Sequence, residues 1–585
     1  PPMPRDDGAA GEWSRGSIVY NLLVRASCAF DHNGDGRISL LNADGVRETG
    51  TFVKAVALLP YIRDLGCNAV HLLPVCRIGQ DGRKGELGSP YAIANPYELE
   101  DTLAEPLLGL GAETEFKAFV EAAHHLGIRV VLEFVVRTAA KDSEWIAEHP
   151  EWFYWIDAGV PDRSSDTPST GGYGSPTFSA DELDRIRTLV AESQFSGLPA
   201  PPEAYRALFA VPPRSENVRY ENSRFVGITE TGRDVRIPGA FADWPPDDPQ
   251  PPWSDVTYLR LYDHTDFNYV AYNTIRMYDD RLATPSNAVS GLWDRITGIM
   301  PHFQNRFAID GAMIDMGHAL PALLKAQVIA GARGVNPTFG FWDEDFQLLK
   351  SARRDGYNAA VGNLWWMVHH PERLRRDVFD RLATEGVPIP AFATPETHNT
   401  RRCAAREGGV ERSLYCWTIG AFLPAIPYIH SGFELGEVRP VNTGLDFTPE
   451  EIRRFPPESL PLYSPCEYAW IGDPSLREGI RRVLSIRRDV ATLVTDSTPD
   501  TFDVPITHGE TGVTYVRRDN RQWLLVVGNP TAEALRVRLS GLRIPDGTAI
   551  DRIRGRETQI VDGRADLDLA PWECVVFAGE LQTDG

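Results

Sequence analysis

Cysteine is scarce and unpatterned. Seven residues, at positions 28, 67, 76, 403, 416, 466 and 574 of 585, form no CxxC pair and no zinc-ligand spacing. This excludes a disulfide-stapled small scaffold. An odd, scattered set predicts reduced thiols and a cytoplasmic setting. Positive charge is also short. Lys and Arg number 59 against 81 Asp and Glu, a formal net charge of −22, so no basic field is available to attract nucleic acid or an anionic membrane. Internal repeats and low-complexity tracts are absent, and the opening PPMPRDDGAAGEW is too polar and Pro-rich for a signal peptide. Long apolar runs are missing with one exception, Leu414 to Phe433, which has 20 residues without Lys, Arg, Asp or Glu. Its length suits a membrane span, but Pro424 and Pro427 interrupt it. It reads better as a helix followed by a buried strand.

What is present is the composition of a soluble globular chain, 42% hydrophobic and 24% charged, too long for one core. Strand and helix patterns alternate: a strand within 16–25, a helix over 53–65, a strand over 67–75, a helix over 114–126 and a strand over 128–136. Such alternation calls for a parallel sheet. From about 156 to 252 the texture changes to Pro, Ser, Gly and Asp (VPDRSSDTPSTGGYGSP, WPPDDPQPPW), which predicts an inserted lobe with little regular structure, of the kind that walls a cleft. The chain returns over 253–262. Further strands follow at 307–315, 336–342, 358–364, 389–394 and 422–430, and a helix at 475–491 started by Asp473 or Ser475. After about 496, short alternating runs (VTYVRR, QWLLVVGNP, LRVRLSG, CVVFAGE) predict a small antiparallel domain. The expected fold is therefore α/β: a (β/α)8 TIM barrel with an inserted lobe after strand 3 and a C-terminal antiparallel β-sandwich domain. Its divisions fall at 1–155, 156–252, 253–495 and 496–585.

Three strand-like runs empty into polar clusters: RFAIDGAMIDMGHALP at 306–321, FGFWDEDF at 339–346 and FATPETHNTRR at 392–402. Strand ends that gather polar groups are how a barrel of this kind builds its site. Residues two apart share a strand face, so Met313 and Asp315 point the same way. A carboxylate there is either structural or catalytic. Elsewhere, Asp31, Asn33 and Asp35 precede Gly36 in a pattern like the first half of an EF-hand loop, with Asn42 where the bidentate Glu would stand. A single bound Ca²⁺ and a plain Asx-rich turn are both consistent with it. His124 and His125 fall in a helix, where they read as a half-exposed surface pair.

On these residues the chain resembles the α-amylase superfamily, glycoside hydrolase family 13. LPYIRDLGCNAVHLLPV is similar to that family's first helix and second strand. The segment from GSPYAIANPYELED to GIRVVLEFVVRT is similar to the stretch leading to its first signature region. IDGAMIDMGHALP, FWDEDF and ETHNTRR are similar to the second, third and fourth. The resemblance implies retaining chemistry on α-glucosidic bonds, with Asp315 as nucleophile and Glu344 as acid/base. It also implies that His398 and Asn399 hold hydroxyls of the reacting sugar, with Asn399 at a catalytic position. Tyr91 matches the family's aromatic platform, and His318, Glu396 and Arg402 would be nearby support. Trp342, Trp365 and Trp366 offer sugar-stacking faces or core packing. No cofactor is implied as required, with a structural Ca²⁺ at Asp31, Asn33 and Asp35 as the option. The implied partner is an α-glucan or malto-oligosaccharide, with phosphate as a further one.

The chain departs from the family pattern at three places. Met313 stands where Arg precedes the nucleophile, Asn399 where Asp follows the fourth-region His, and Glu133 to Arg137-Thr138 where Asp to Asn-His is usual. Arg137 shares a strand face with Glu133 and is the expected replacement cation. The altered first region and the MGHALP ending look most like the maltosyltransferase branch, which moves maltosyl units between α-1,4-glucans or takes them from maltose 1-phosphate. An α-glucan hydrolase is the enzymatic alternative. A catalytically degenerate glycan-binding protein on the same scaffold is the alternative of another class.

Overall fold

The computed structural model describes residues 10–160, 179–191, 194, 197, 203–240, 254–263, 283–508 and 512–581. Eight short parallel strands form one sheet: β1 Val19–Leu22, β2 Ala69–Leu72, β3 Arg129–Phe134, β4 Gly311–Ile314, β5 Gly340–Asp343, β6 Ala359–Ala360, β7 Phe392–Ala393 and β8 Ile426–His430. Each pairs with its sequence neighbour in parallel, and β1 pairs with β8. A parallel bridge from Ala360 to Ala391 closes the ring between β6 and β7. The eight strand positions expected from apolar runs are the eight observed.

The strand period of two divides each barrel strand into an inward and an outward set. Val19, Ala69, Val131, Met313, Trp342, Ala359, Phe392, Ile426 and Tyr428 pack together as one buried interior cluster drawn from all eight strands. Outward residues such as Leu72, Leu132, Ile314 and Phe341 join the larger core against the surrounding helices. Among these helices are α1 Phe52–Leu65, α2 Ala112–His125, α3 Ile299–Phe307, α4 Ala322–Val335, α5 Lys350–Asp355, α6 Gly409–Ala421 and α7 Ser475–Asp489. Thr51 caps α1 by accepting from the Lys54 N–H, and Asp473 accepts from the Ser475 N–H at the start of α7.

Two details differ from the sequence reading. His124 is buried, not part of an exposed pair. Its Nε2 lies 2.8 Å from Asp310 Oδ2, and the same oxygen accepts the Val130 N–H at 2.8 Å. The inserted lobe is also more regular than its composition suggested. It carries a five-stranded antiparallel sheet of Phe209–Ala210, Trp155–Asp157, Asp234–Arg236, Arg224–Ile228 and Val218–Glu221, with a helix at Ala180–Ala191. Trp155, Ile156, Phe209, Phe225 and Val235 on these strands are buried, and that packing orders elements too short to show a period. The Pro-rich stretch 244–253 and, apart from Val160, the stretch 160–176 lie outside the described residues. Val256–Tyr258 returns the chain by pairing antiparallel with Thr138–Ala140.

The apolar stretch 414–433 is the end of α6 followed by buried β8. Among the described residues no helix is long and apolar enough to cross a membrane. At the C-terminus, a four-stranded sheet (Phe502–Asp503, Val513–Arg518, Gln522–Gly528, Cys574–Glu580) and a three-stranded one (Ile506–His508, Leu535–Ser540, Ala565–Leu569) enclose a second core.

Candidate active site

One step beyond the apolar interior layer, the same inward positions become polar: Asn21 on β1, His71 on β2, Glu133 on β3 and His430 at the end of β8, with Asp315 and Glu344 directly after β4 and β5. The alternation that buries Val131, Met313 and Trp342 also aims Glu133, Asp315 and Glu344 at one another. Their carboxylate oxygens lie within 4.8 Å of each other. This is the C-terminal end of the parallel strands, where barrel enzymes carry their chemistry.

Three carboxyls this close cannot all ionise. Burial lifts Asp315 above its ordinary range, opposed first by the Arg137 guanidinium and then by a hydrogen bond from Glu344 and by His318. Burial, then the charges of Asp315 and Glu133, push Glu344 well above its ordinary range. The hydrogen bond between the pair lowers Asp315 and raises Glu344, so Glu344 holds the proton and donates it to an ionised Asp315. Burial and the Asp315 charge also push Glu133 well above its ordinary range. The three acids thus share one pocket with the buried Arg137 guanidinium, whose charge acts on Asp315.

The turn after Asp315 is strained in a way that serves this pair. Met316 is left-handed (φ 45°, ψ 43°), a conformation unfavourable for a side chain with a Cβ. It aims its N–H at Glu344 Oε2, 2.9 Å away. The next residue must be small, because a Cβ on Gly317 would meet the Tyr357 hydroxyl at 2.4 Å. His318 Nδ1 is 3.0 Å from the Glu344 carbonyl oxygen, and Arg137 Nη2 is 2.9 Å from Met316 Sδ.

On the opposite wall, Tyr91 Oη and His398 Nε2 are 2.9 Å apart with their rings nearly parallel. Burial lowers His398 to about 4, so its imidazole is neutral at ordinary pH. Asn399 follows it, but its Oδ1 accepts from Asn442 Nδ2 at 2.8 Å and its carbonyl accepts the Leu445 N–H. Its amide is already engaged by the 442–445 loop.

The sequence reading missed a network behind Glu133. His430 Nδ1 lies 2.8 Å from Asn21 Oδ1, which only accepts. Asn21 Nδ2 therefore donates to His71 Nδ1 at 3.0 Å and to the His71 carbonyl at 3.1 Å, and the Tyr428 hydroxyl is 2.9 Å from the same His71 nitrogen. His71 thus carries its proton on Nε2, 3.5 Å from Glu133 Oε2. Burial lowers it to about 3, so the contact is not an ion pair. The available signal was a histidine interrupting an apolar strand, as in CNAVHLLPV and IPYIH.

Three expected substrate contacts are corrected. Trp342 is fully buried inside the barrel, with Nε1 donating to Ser14 Oγ at 3.0 Å and its ring against Phe392 and His71. It has no open face for a sugar. Glu396 and Arg402 are wholly buried and paired: Arg402 Nη1 donates to Glu396 Oε1 at 2.6 Å and the Cys403 N–H to Oε2 at 2.5 Å. Arg402 also donates to the Ser431 and Arg439 carbonyls. The pair fixes the loop carrying His398. Trp365 is core as well, while Trp366 is partly buried beside His370.

The Asp31 loop is an Asx-rich turn. Asp31 accepts the Gly34 and Gly36 N–H groups, Asn33 Oδ1 accepts from Asp35 N–H, and Asp35 accepts from Arg37 N–H and from Asn33 Nδ2. Each of these side-chain oxygens accepts from a donor of its own loop and keeps a further lone pair, so the hydrogen bonds are those of an Asx-rich turn and leave the oxygens able to face a cation.

Among known proteins, no family model matches the chain. Its sequence is similar to the alpha-1,4-glucan:maltose-1-phosphate maltosyltransferase of Cereibacter sphaeroides, 37% identical over 128 residues, 20% of this chain and 19% of that protein. It is also similar to the protein of that name from Mycolicibacterium smegmatis, 33% identical over 157 residues, 25% of this chain and 20% of that protein. The match thus spans about a fifth of the length of these relatives. Among solved structures, a maltogenic alpha-amylase from Thermotoga neapolitana has a TM-score of 0.60 at 16% identity, covering 97% of this chain and 99% of that one. The alpha-amylase of Geobacillus thermoleovorans has a TM-score of 0.61 at 13% identity, covering 98% and 99%. The chain has the α-amylase fold, and over about a fifth of its length its sequence is similar to the maltosyltransferases.

Proposed function

We propose that this protein is a retaining α-glucan-active transglycosylase, a maltosyltransferase on malto-oligosaccharides or maltose 1-phosphate. The observation that carries the proposal is the Asp315–Glu344 pair, two buried carboxyls brought together at the C-terminal mouth of an amylase-type barrel, with Glu344 held further above its ordinary range than Asp315, whose rise Arg137 opposes. A retaining reaction needs this division. Asp315 attacks the anomeric carbon while Glu344 gives its proton to the departing oxygen. A covalent glycosyl-enzyme forms, and Glu344, now a carboxylate, takes a proton from the incoming hydroxyl as that oxygen displaces Asp315. Tyr91 and His398 supply an aromatic wall and neutral hydrogen-bonding groups for the sugar in this site.

Transfer, in place of hydrolysis, is supported by the similarity to the maltosyltransferases. Incubation of the protein with maltotetraose, with and without phosphate, followed by mass analysis tests it. A product ladder spaced by two glucose units is expected, with maltose 1-phosphate appearing only when phosphate is present. Glucose and maltose without longer products would make it a hydrolase. Unchanged sugar that still binds would leave only a glycan-binding cleft.

A further inference from the structure

Away from the carboxyl cluster, three metal-ligating side chains from separate segments meet in the interior. His369 follows the short helix Leu364–Met367, Cys403 opens the turn Cys403–Ala405, and Cys416 lies on α6. One ligand atom of each lies within 4.8 Å of the other two, and all three residues are buried. Cys416 Sγ is 3.7 Å from His369 Nδ1. His369 Nε2 is 2.8 Å from the Pro395 carbonyl. A carbonyl only accepts, so Nε2 carries the hydrogen, and Nδ1 turns a bare lone pair toward the thiol. A histidine whose far nitrogen donates to a carbonyl is set up as a metal ligand.

We propose that His369 Nδ1, Cys403 Sγ and Cys416 Sγ form a buried site for Zn²⁺. The dimensions agree. Zn–S bonds of about 2.3 Å and Zn–N bonds of about 2.0–2.1 Å at tetrahedral angles put nitrogen and sulfur about 3.6 Å apart, and here they are 3.7 Å apart. The charge agrees too. Two thiolates neutralise a dication, so the ion enters without leaving net charge in the interior, whereas a monovalent ion would leave an uncompensated negative one. Binding releases the two thiol protons to solvent. The Val368 carbonyl oxygen, also 3.7 Å from Cys416 Sγ, is a neutral donor available for the fourth position. Nothing in the spacing along the chain marks this site, because its ligands meet only when α6, the loop after β7 and the segment after Leu364–Met367 pack together. The ion would join those three segments. The Cys403 N–H already holds Glu396, so the site also steadies the loop that carries His398.

The test uses the reduced, full-length protein, stripped with chelator, reloaded with Zn²⁺ or Co²⁺ and freed of unbound metal. The expected result is about one zinc per chain by mass spectrometry. The Co²⁺ form should show the intense thiolate-to-cobalt charge-transfer absorption of a sulfur-ligated tetrahedral site, and Cys416→Ser should lose both. Cys403→Ala with Cys416→Ala should retain no metal while its circular dichroism stays that of the parent. Should the variants fail to fold, the Co²⁺ spectrum of the unaltered protein decides alone. No retained zinc and no charge-transfer band in the folded parent would overturn the proposal. So would equal metal retention by the double variant, or a Cys403–Cys416 disulfide in the freshly purified protein.

Discussion

Two groups of buried carboxyls stand at the same end of the barrel and are treated in opposite ways. Glu396 meets Arg402 and the Cys403 N–H at hydrogen-bonding distance. Glu133, as deeply buried, has no cation or backbone donor against it: it meets the Tyr91 hydroxyl and, at 3.5 Å, the neutral His71, and it sits against Asp315 and Glu344. The first arrangement is what a structural carboxylate needs, since an uncompensated buried charge is costly. The second accepts a cost for which stability offers no reason. Buried acidic groups pushed toward one another, with pKa values driven apart, mark a place where protons are to be moved. Both groups lie in signature-like segments, so the local environment, not the segment, separates structure from chemistry.

The largest expected effect separates the groups by activity. Glu344→Gln should lower kcat by about 10²–10⁴-fold, and Asp315→Asn by at least as much, with folding retained in both. Next comes the reverse pattern. Arg402→Met leaves Glu396 buried and unpaired, and should cost about 3–5 kcal/mol in urea unfolding. A stable Arg402→Met protein would erase the contrast.

A smaller effect concerns the cation. Arg137 opposes the upward push of burial on Asp315. Without it Asp315 needs a higher pH to ionise. Arg137→Ala should therefore move the acid limb of the kcat/KM profile up by about 1–3 pH units. Unchanged turnover and profile would remove Arg137 from the account.

The last effect is thermodynamic and appears only as a pH dependence. Folded Glu133 holds its proton to a higher pH than the unfolded chain does. Its contribution is fully present below the unfolded value of about 4.3 and is lost as pH rises toward the raised folded value, at about 1.4 kcal/mol per pH unit. Glu133→Gln has no proton to lose. Its melting temperature relative to the parent should rise as the pH is taken upward from about 5.

The barrel was legible because eight apolar runs separated by helical patterns leave few other folds. Asp315 was singled out by the strand period that carries inward Met313 to an inward acid, whereas Glu344, one of three acids in a row in FWDEDF, was marked out only by the family resemblance. The pairing of Glu396 with Arg402 was not, because both lie in one polar cluster, and only the packed loop shows that they face each other and not the cleft. Trp342 shares its inward face with Glu344 but lies one layer deeper, a difference of depth that periodicity does not report. His71, Asn21 and His430 come from strands distant in sequence and meet only when the sheet closes. The order in the inserted lobe was hidden by its composition, since short strands such as Val218–Glu221 carry too little periodic signal to stand out from turns.

The central claim is that Asp315 is the group that becomes covalently bonded to sugar. The direct measurement is intact-protein and peptide mass analysis after reaction of the Glu344→Gln protein with α-maltosyl fluoride, a donor whose leaving group needs no proton and whose glycosyl-enzyme this variant, lacking the base, would resolve slowly. The account predicts one added maltosyl unit, carried by the peptide containing Asp315 and missing when Asp315→Asn is added. An adduct on another residue, or donor turnover that survives Asp315→Asn, would contradict it.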